Sequence, residues 1–318
     1  MKTAYVAALL ATVAAGAAQG ADYPDRAVHI VVPWPAGGPS DAVARVIGQD
    51  MAAALHQPFV IDNKPGATGT IGSDFVAKAP ADGYTIVVAN TASHPLGRLA
   101  NANLPYDPLK DFRPVIEYGV YPVGIMVAAA LPIKTLREFV DYSKTTTDGL
   151  LVGVPGVNSV SHIYGQLLAQ KTGAKLTFVP YRGDAPARVD LLAGNIHAIA
   201  STPDFGLIET GKARLIGETG SRRWPQAADV PTFVELGYPD LDGLIAWGFA
   251  APAGTPDKVV ATLNAAANRA LKTEAVRKIM VDNAYFPTGG TPDAFWGRFK
   301  DQIRTFGDME KSGIVKFQ

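Results

Sequence analysis

Short apolar runs alternate with amphipathic stretches along the first third of the chain. The pattern predicts strands at residues 28–32, 59–62 and 84–89, because each run is apolar and ends in a cluster of turn-forming residues. It also predicts a helix at 40–55 and a shorter helix through Phe75. Three strand–loop–helix units in succession indicate a parallel sheet covered by helices.

The same arrangement starts again in the middle of the chain. Apolar strands are predicted at 149–154, 176–179 and 196–200, and each of them ends in a polar loop. Two more apolar strands, near 123–129 and 245–251, stand where the chain would pass between the two sets of units. A repeated design with two crossings predicts a hinged clamp of two α/β lobes, each a mostly parallel sheet flanked by helices.

The composition sets limits on the lobes and on their partners. The chain has 318 residues, enough for two cores, and we assign 22–124 with 247–318 to lobe 1 and 125–246 to lobe 2. The 29 basic and 29 acidic residues balance without a basic block, so nucleic acid is not an expected partner. Since the chain has no cysteine, each lobe must be stabilised by its core alone.

The N-terminal residues have the features of a secretory signal peptide. Lys2 gives a positive start, residues 4–18 are almost all small or apolar, and small residues precede a cut before Ala21. A membrane anchor is the less favoured alternative, because the apolar stretch is short and rich in alanine. We therefore expect residues 1–20 to be a signal peptide and the mature chain to act in a bacterial periplasm.

Two glycine-rich turns carry the most informative chemistry of lobe 1. The first, Trp34-Pro-Ala-Gly37-Gly38, follows the first predicted strand, and the second, residues 63–72, follows the next. At such strand–helix junctions, unpaired backbone N–H groups and the positive end of a helix dipole favour an anion. The alternative is that the glycines serve turn geometry only. Ser40 and Asp41 are interpreted as helix caps rather than ligand contacts.

Polar side chains follow the predicted strands of lobe 2. Ser159 is favoured as a ligand contact over a helix cap, and His162 as a structural hydrogen-bonding residue, since no carboxylate stands at metal-ligand spacing. The planar guanidinium of Arg182 suits a second carboxylate of the ligand, and an ion pair with Asp184 or Asp204 is the alternative. Asp204 would accept from a ligand hydroxyl or ammonium if it faced the cleft.

Four further candidates keep two interpretations each. Thr91 and Ser93, in the polar loop after the third predicted strand, are evenly divided between helix capping and ligand contact. Trp34 and Tyr181 are placed to stack on a flat ligand or to form a rim that only excludes water.

Seven segments, in this order, form a specific set: Tyr23-Pro-Asp-Arg26, VPWPAGGPSD (32–41), NKPGATGTIG (63–72), ADGYT (81–85), Asn158-Ser159 with Ser161-His162, VPYRGDAPA (179–187) and APAGTP (251–256). Together they resemble the Bug/TctC family, the extracytoplasmic solute-binding proteins of tripartite tricarboxylate transporters. The resemblance covers essentially all of the chain after the signal peptide. It implies a two-lobed type II periplasmic binding protein fold, or Venus flytrap, that closes on a di- or tricarboxylate or an aromatic acid. It implies no catalysis, no cofactor and no metal.

The resemblance also implies a set of site residues. The loops at 34–38 and 66–69 would hold one carboxylate through backbone N–H groups and bridging water, and later loops would complete the pocket. The residues so implied are Trp34, Ala36, Gly37, Gly38, Ala67, Thr68, Gly69, Thr91, Ser93, Ser159, Arg182, Gly183 and Asp204. Trp34 stands where phenylalanine is common and Asn158 where glycine is common, so the identity of the ligand does not carry over.

The expected partners are a small carboxylate and the membrane subunits of the transporter, with a monomer expected for a clamp that must open and dock. A ligand-sensing protein that feeds a signalling receptor is the main alternative. An exported hydrolase is disfavoured, because the chain has no cysteine, no Gly-x-Ser-x-Gly and no His-Glu-x-x-His. A nucleotide-binding oxidoreductase is disfavoured too, because Gly66-x-x-Gly69-x-x-Gly72 lacks the Gly-x-Gly start.

Overall fold

The computed structural model describes residues 23–317, so the predicted signal peptide lies outside the described residues. In chain order the strands are β1 (Val28–Val32), β2 (Phe59–Asn63), β3 (Thr85–Asn90), β4 (Phe112–Tyr121), β5 (Gly124–Ala128), β6 (Leu150–Val154), β7 (Leu176–Pro180), β8 (Ala198–Ser201), β9 (Ala213–Glu218), β10 (Ile245–Pro252) and β11 (Phe286–Pro287). The helices are α1 (Pro39–Leu55), α2 (Thr70–Ala77), α3 (Gly97–Ala100), α4 (Leu136–Ser143), α5 (Val160–Thr172), α6 (Asp184–Ala193), α7 (Phe205–Glu209), α8 (Asp257–Ala270), α9 (Glu274–Asp282) and α10 (Pro292–Lys311).

The first sheet has the strand order β11-β4-β10-β3-β1-β2. Strand β1 pairs in parallel with β2 and β3, and β10 lies antiparallel between β3 and β4. The short β11 pairs antiparallel with the outer side of β4. The first four strands of the chain therefore run in one direction, and β10 and β11 run in the other.

The second sheet repeats this design in the order β7-β6-β8-β5-β9. Strand β6 pairs in parallel with β7 and β8, whereas β5 lies antiparallel between β8 and β9. In each sheet the antiparallel central strand arrives directly from the other sheet. The predicted α/β fold of two mostly parallel sheets is confirmed, with both sheets mixed because of the crossing strands β10 and β5 and, in the first sheet, also the short β11.

Helix α1 shows why the predicted helices form where the sequence places them. Its residues Val43, Ile47 and Met51 recur at helical spacing and are fully buried in the core that also contains β1. The helix ends at His56, which takes a left-handed conformation with φ 55°. This packing fixes the start of α1, and hence the preceding loop, against the carboxyl end of β1.

Three strands were not predicted: β4, β9 and the two-residue β11. In β4 the apolar pattern is interrupted by Pro114 and Glu117. A register shift in the pairing with β10, beside Pro114, accommodates the residue that cannot donate a hydrogen bond. The buried Glu117 carboxylate accepts from Arg298 Nε of α10 at 2.6 Å. The strand accommodates Pro114 and Glu117 only through β10 and α10, which are distant in sequence. The local pattern therefore could not predict the strand.

The two connections between the sheets lie side by side. One is the short link from β4 to β5, and the other begins where β9 ends and returns to β10. The Thr219 N–H donates to Val123 O, and Thr219 Oγ1 accepts from the Val123 N–H, each over 2.9 Å. These paired bonds join the connections at the place where a clamp of this design would bend.

A buried carboxyl group stands next to this crossing. Glu218, the last residue of β9, is fully buried; its Oε1 accepts from the Trp224 N–H at 2.6 Å, and its Oε2 has no hydrogen-bond partner among the described residues. Burial raises the pKa of Glu218 to about 7. In the folded chain the protonated form of Glu218 therefore predominates below about pH 7.

We expect Glu218→Gln to make the stability of the fold less dependent on pH. The pKa of Glu218 is higher in the folded chain than the unfolded value of 4.5. Its contribution to the free energy of unfolding is therefore fully present below pH 4.5 and is lost as the pH rises through about 7. Glutamine imitates the neutral form, so the variant should be the more stable protein at about pH 8, by up to about 3 kcal/mol. Denaturant unfolding at about pH 5 and about pH 8 measures the difference.

Glu209→Gln, an exposed change at the end of α7, is the control for loss of a negative charge. If the Glu218 variant lost stability between the two pH values as steeply as the native chain, the dependence would belong to other groups.

Candidate functional site

Two adjoining cavities lie between the lobes, with volumes of about 700 Å³ and about 520 Å³. Five residues line both of them: Trp34, Tyr121, Asp184, Thr202 and Trp247. The walls consist largely of loops that follow the carboxyl ends of strands from both sheets, where ligands of open α/β sheets bind. The cavities are therefore two parts of one cleft.

The predicted site residues fall into two groups. Those that line the cleft are Trp34, Ala36, Gly37, Gly38 and Asp204 in the larger cavity, and Trp34, Ala67, Thr68 and Ser159 in the smaller one. Those that line neither cavity are Gly69, Thr91, Ser93, Arg182 and Gly183. For both groups, contact with a ligand stays a prediction.

The loop after β1 has backbone donors that face the cleft. Gly37 adopts φ +81°, and Gly38 is the N-cap of α1 in an extended conformation. The Gly37 N–H donates to Asp41 Oδ2 at 3.0 Å, whereas the N–H groups of Ala36 and Gly38 make no hydrogen bond within residues 23–317. The N–H groups of Ala36 and Gly38, together with the first turn of α1, remain available to an anion.

Asp41 holds this loop in place. Its buried carboxylate accepts from the Gly37 N–H, from Arg45 Nε at 2.9 Å and from Asn63 Nδ2 at 2.9 Å. Burial raises the pKa of the Asp41 carboxyl, but these hydrogen bonds and the charge of Arg45 outweigh it and hold the pKa below its ordinary value. The interpretation of Ser40 and Asp41 as helix caps is wrong, because Asp41 binds the N–H before the cap and no side chain caps α1.

Asn63 connects the two glycine-rich loops. It ends β2, donates from Nδ2 to Trp34 O at 3.2 Å as well as to Asp41, and accepts from Arg45 at Oδ1 over 3.1 Å. The chain continues from Asn63 directly into the second loop. One amide therefore sets the position of both loops relative to each other.

The second loop is strained over four consecutive residues. Gly66, Ala67, Thr68 and Gly69 all have positive φ, at 136°, 46°, 54° and 91°. For the two residues that carry a Cβ, this conformation costs on the order of 1 kcal/mol each. The N–H groups of Ala67 and Thr68 make no hydrogen bond within the described part of the chain, so the strained turn presents two free donors beside the start of α2.

Trp34 lies between the two loops. Its ring packs on Trp247 with the ring centroids 4.8 Å apart, and a Cβ added at Gly69 would meet the ring at 3.2 Å. The first loop opens to the larger cavity and the second to the smaller one, with Trp34 in both walls. Trp34 therefore stands between the two loops of the predicted carboxylate cradle, which stays a prediction.

Thr91 and Ser93 are buried behind the wall of the cleft. Thr91 Oγ1 accepts from the Ala246 N–H at 2.9 Å, which ties this loop to β10, and Ser93 bonds to Asn90 and His94. Their polar atoms are used within the fold. Asn90, the last residue of β3, lines the smaller cavity.

The loop after β6 contains a residue in the left-handed conformation. Asn158 has φ 53°, a position that glycine occupies most easily and that asparagine tolerates. Ser159 caps α5 by accepting from the His162 N–H at 3.1 Å, and it also lines the smaller cavity. His162 Nδ1 accepts from the Asn158 N–H at 3.0 Å, so the structural interpretation of this histidine is confirmed.

Arg188, rather than Arg182, is the arginine in the wall of the cleft. Arg182 is exposed and outside both cavities, whereas Arg188 lines the larger one with its Nε 3.0 Å from Asp204 Oδ2. Asp204 also caps α7 by accepting from the Leu207 N–H. Tyr181, bonded through its hydroxyl to Asp190 at 2.6 Å, lines neither cavity.

Sequence reasoning missed Tyr121, Arg188 and Trp247 in the wall, and it named Asp184 only as a partner for Arg182. One signal could have helped: Asp184 and Arg188 are four residues apart, which places them on the same face of α6. Tyr121 and Trp247 enter from the crossing region of the first sheet, so nothing local in their sequence marks them. No group of three metal-ligating side chains occurs in residues 23–317.

Two similar mixed sheets, two adjacent crossings and a cleft between them define the class of two-lobed ligand-binding proteins. The chain belongs to the tripartite tricarboxylate transporter family of receptors, TctC, whose family model matches residues 43–304. The predicted family is confirmed, and because it is a receptor family, so is the expectation that the chain is not an enzyme.

Relatives of known name and structure agree with this assignment. BugT of Bordetella pertussis is 33% identical over 320 residues, covering 99% of this chain and 98% of BugT. A Rhodopseudomonas palustris protein solved with adipate matches with a TM-score of 0.81 and 32% identity, covering 91% of this chain and 98% of that one. MatC of the same organism, solved with bound malate, matches with a TM-score of 0.76 and 34% identity over 90% and 99% of the two chains.

We expect Gly38→Val to weaken ligand binding at least tenfold, or by about 1.4 kcal/mol. Gly38 has φ −82°, and an added Cβ would meet only Pro35 O at 3.5 Å, so the fold can accept a side chain here. The valine would cover the free N–H groups of the loop. Titration calorimetry with any carboxylate that the native chain binds measures the change.

Gly307→Val on α10 is the matched control, because a Cβ there meets no atom within 4 Å and lies away from the cleft. A Gly38 variant that melts like the native chain and binds with unchanged affinity would remove the first loop from the site.

Proposed function

We propose that this chain is a periplasmic solute-binding protein that captures a small organic carboxylate in the cleft and delivers it to the membrane subunits of a tripartite tricarboxylate transporter. The observation that carries the proposal is the pair of loops after β1 and β2, each with free backbone N–H groups beside a helix start. The adipate and malate bound by two relatives support the same ligand class.

The proposed capture is a closure of two lobes on the ligand. We assign residues 22–124 with 247–318 to lobe 1 and residues 125–246 to lobe 2, and the hinge to the paired connections at Val123 and Thr219. In this scheme lobe 1 holds the carboxylate through the backbone of residues 36–38 and 67–68. Lobe 2 contributes side chains from the loops after β6 and β8, among them Ser159. A monomer suits a clamp that must open and dock.

The proposed location is the periplasm, reached through the signal peptide at residues 1–20. Among residues 23–317 no helix has the length and apolar character needed to span a membrane. Family membership supports this location, since relatives are described as periplasmic.

Titration calorimetry of the mature chain against mono-, di-, tricarboxylates and aromatic acids tests the proposal. We expect one ligand per chain for at least one carboxylate, with binding abolished in the corresponding neutral amide, because the loops offer donors that a carboxylate uses best. If no carboxylate in the panel bound, the proposed function would be refuted.

A second test compares the two arginines of lobe 2. The sequence predicts that Arg182→Ala penalises dicarboxylates more than monocarboxylates, whereas the structure places Arg188 in the wall. We therefore expect Arg188→Ala to weaken carboxylate binding by about tenfold, since Asp204 loses its partner and adds negative charge to the cleft. The exposed Arg182→Ala should change affinity by less than about twofold. The opposite order would assign the ligand contact to Arg182.

A further inference from the structure

Asp184 has an unusual place in the cleft. It is the first residue of α6, and it lies in the wall shared by the two cavities. A ligand carboxylate bound at either loop of lobe 1 would therefore leave the rest of the ligand close to Asp184.

Its hydrogen bonds leave one oxygen free. Ser201 Oγ donates to Asp184 Oδ1, but Oδ2 makes no hydrogen bond, and no cation pairs with Asp184 in residues 23–317. The other carboxylates of the cleft are paired: Asp204 lies 3.0 Å from Arg188, and Asp282 lies 2.7 Å from Lys278. Asp184 alone lacks a positive partner, which buried and half-buried carboxylates normally have.

Aromatic rings surround the same place. Trp34, Tyr121 and Trp247 are the other large side chains that line both cavities. The ring centroids of Trp34 and Trp247 are 4.8 Å apart, and those of Tyr121 and Trp247 are 5.9 Å apart. Aromatic faces grouped around a carboxylate are the arrangement that proteins use to bind an ammonium group.

Tyr121 is close enough to Asp184 for their charges to interact. Burial, and to a smaller extent the Asp184 carboxylate, raise the pKa of the Tyr121 hydroxyl above its ordinary value, so the tyrosine stays neutral. It therefore adds no second negative charge beside Asp184. Arg188, the arginine that lines the larger cavity among residues 23–317, has its Nε 3.0 Å from Asp204 and makes no ion pair with Asp184.

We propose that the ligand of this chain is an aminocarboxylate, with its ammonium group at Asp184 among the three aromatic rings. The inference rests on the proposed function, which places the carboxylate of the ligand at the loops of lobe 1. A dicarboxylate would bring its second negative charge to Asp184 and be rejected, so this cleft selects against the kind of ligand that MatC holds. The competing explanation is structural, in which Asp184 only stabilises the start of α6 and orients Ser201.

A matched ligand series separates these explanations. γ-Aminobutyrate, γ-hydroxybutyrate, butyrate and succinate share a carboxylate and a four-carbon chain, and differ at the far end in charge and hydrogen bonding. The six-carbon set from ε-aminocaproate to adipate repeats the comparison at greater length. The α-amino acids 2-aminobutyrate and norleucine, with four and six carbons, place the ammonium beside the carboxylate. We expect an amino compound to bind at least tenfold more tightly than the dicarboxylate of its length, measured by calorimetry on the native chain.

Asp184→Asn then tests the residue itself. The amide keeps an acceptor for Ser201, so the fold should persist, and the preference for the amino compound should fall at least tenfold while the dicarboxylate gains affinity. Asp229→Asn, an exposed change outside both cavities, is the control for loss of one negative charge. If Asp184 had only a structural role, Asp184→Asn would lower the melting temperature and leave the ligand preference unchanged.

The results distinguish a failure of the inference about Asp184 from a failure of the proposed carboxylate-binding function. Tighter binding of succinate or adipate than of the amino compounds would overturn the inference and leave the proposed function standing. An unchanged preference in Asp184→Asn would also overturn it. If no member of any series bound, the inference would fail, and the wider carboxylate panel would show whether the proposed function fails with it.

Discussion

The buried carboxylate of Asp41 is the constraint on which the first half of the cleft depends. Asp41 is 3% exposed and accepts hydrogen bonds from Gly37, Arg45 and Asn63. Together these bonds compensate for the free-energy cost of removing the carboxylate from water. Asn63 adds the bond to Trp34 O, so the loops after β1 and β2 and the indole between them share one anchor. Without it, two glycine-rich turns would be free to move independently, and their free N–H groups would not keep a fixed geometry.

Much of the fold was open to prediction because its signals are local. The strands β1, β2, β3, β6 and β7 are apolar runs that end in turns, and α1 follows a helical repeat of buried residues. The missed strand β4 carries Pro114 and Glu117, and both are tolerated only through contacts with β10 and α10. Local patterns describe what a segment prefers, and these two residues are compatible with a strand only because of its distant neighbours.

The same distinction divides the site. The glycines of lobe 1 indicate the positions of the loops in the sequence, because few other residues accept the positive φ at Gly37, Gly66 and Gly69. In lobe 2 a side chain's role depends on which way its helix faces. The residue type of Arg182 favours a carboxylate contact, but Arg182 lies in the loop before α6 and is exposed, whereas Asp184 and Arg188, on one face of α6, line the cleft.

Under the proposed function, recognition in this cleft is divided between two kinds of chemistry. Backbone N–H groups of lobe 1 fit any carboxylate and are indifferent to the rest of the molecule. Side chains of lobe 2, one helical turn apart on α6, would respond to charge at the far end of the ligand, and the crossing strands add Tyr121 and Trp247 to the walls of the cleft. In such an arrangement a family can keep its fold and its carboxylate loops while single substitutions in lobe 2 change the ligand, because affinity for the shared group and choice among ligands reside on opposite sides of the hinge.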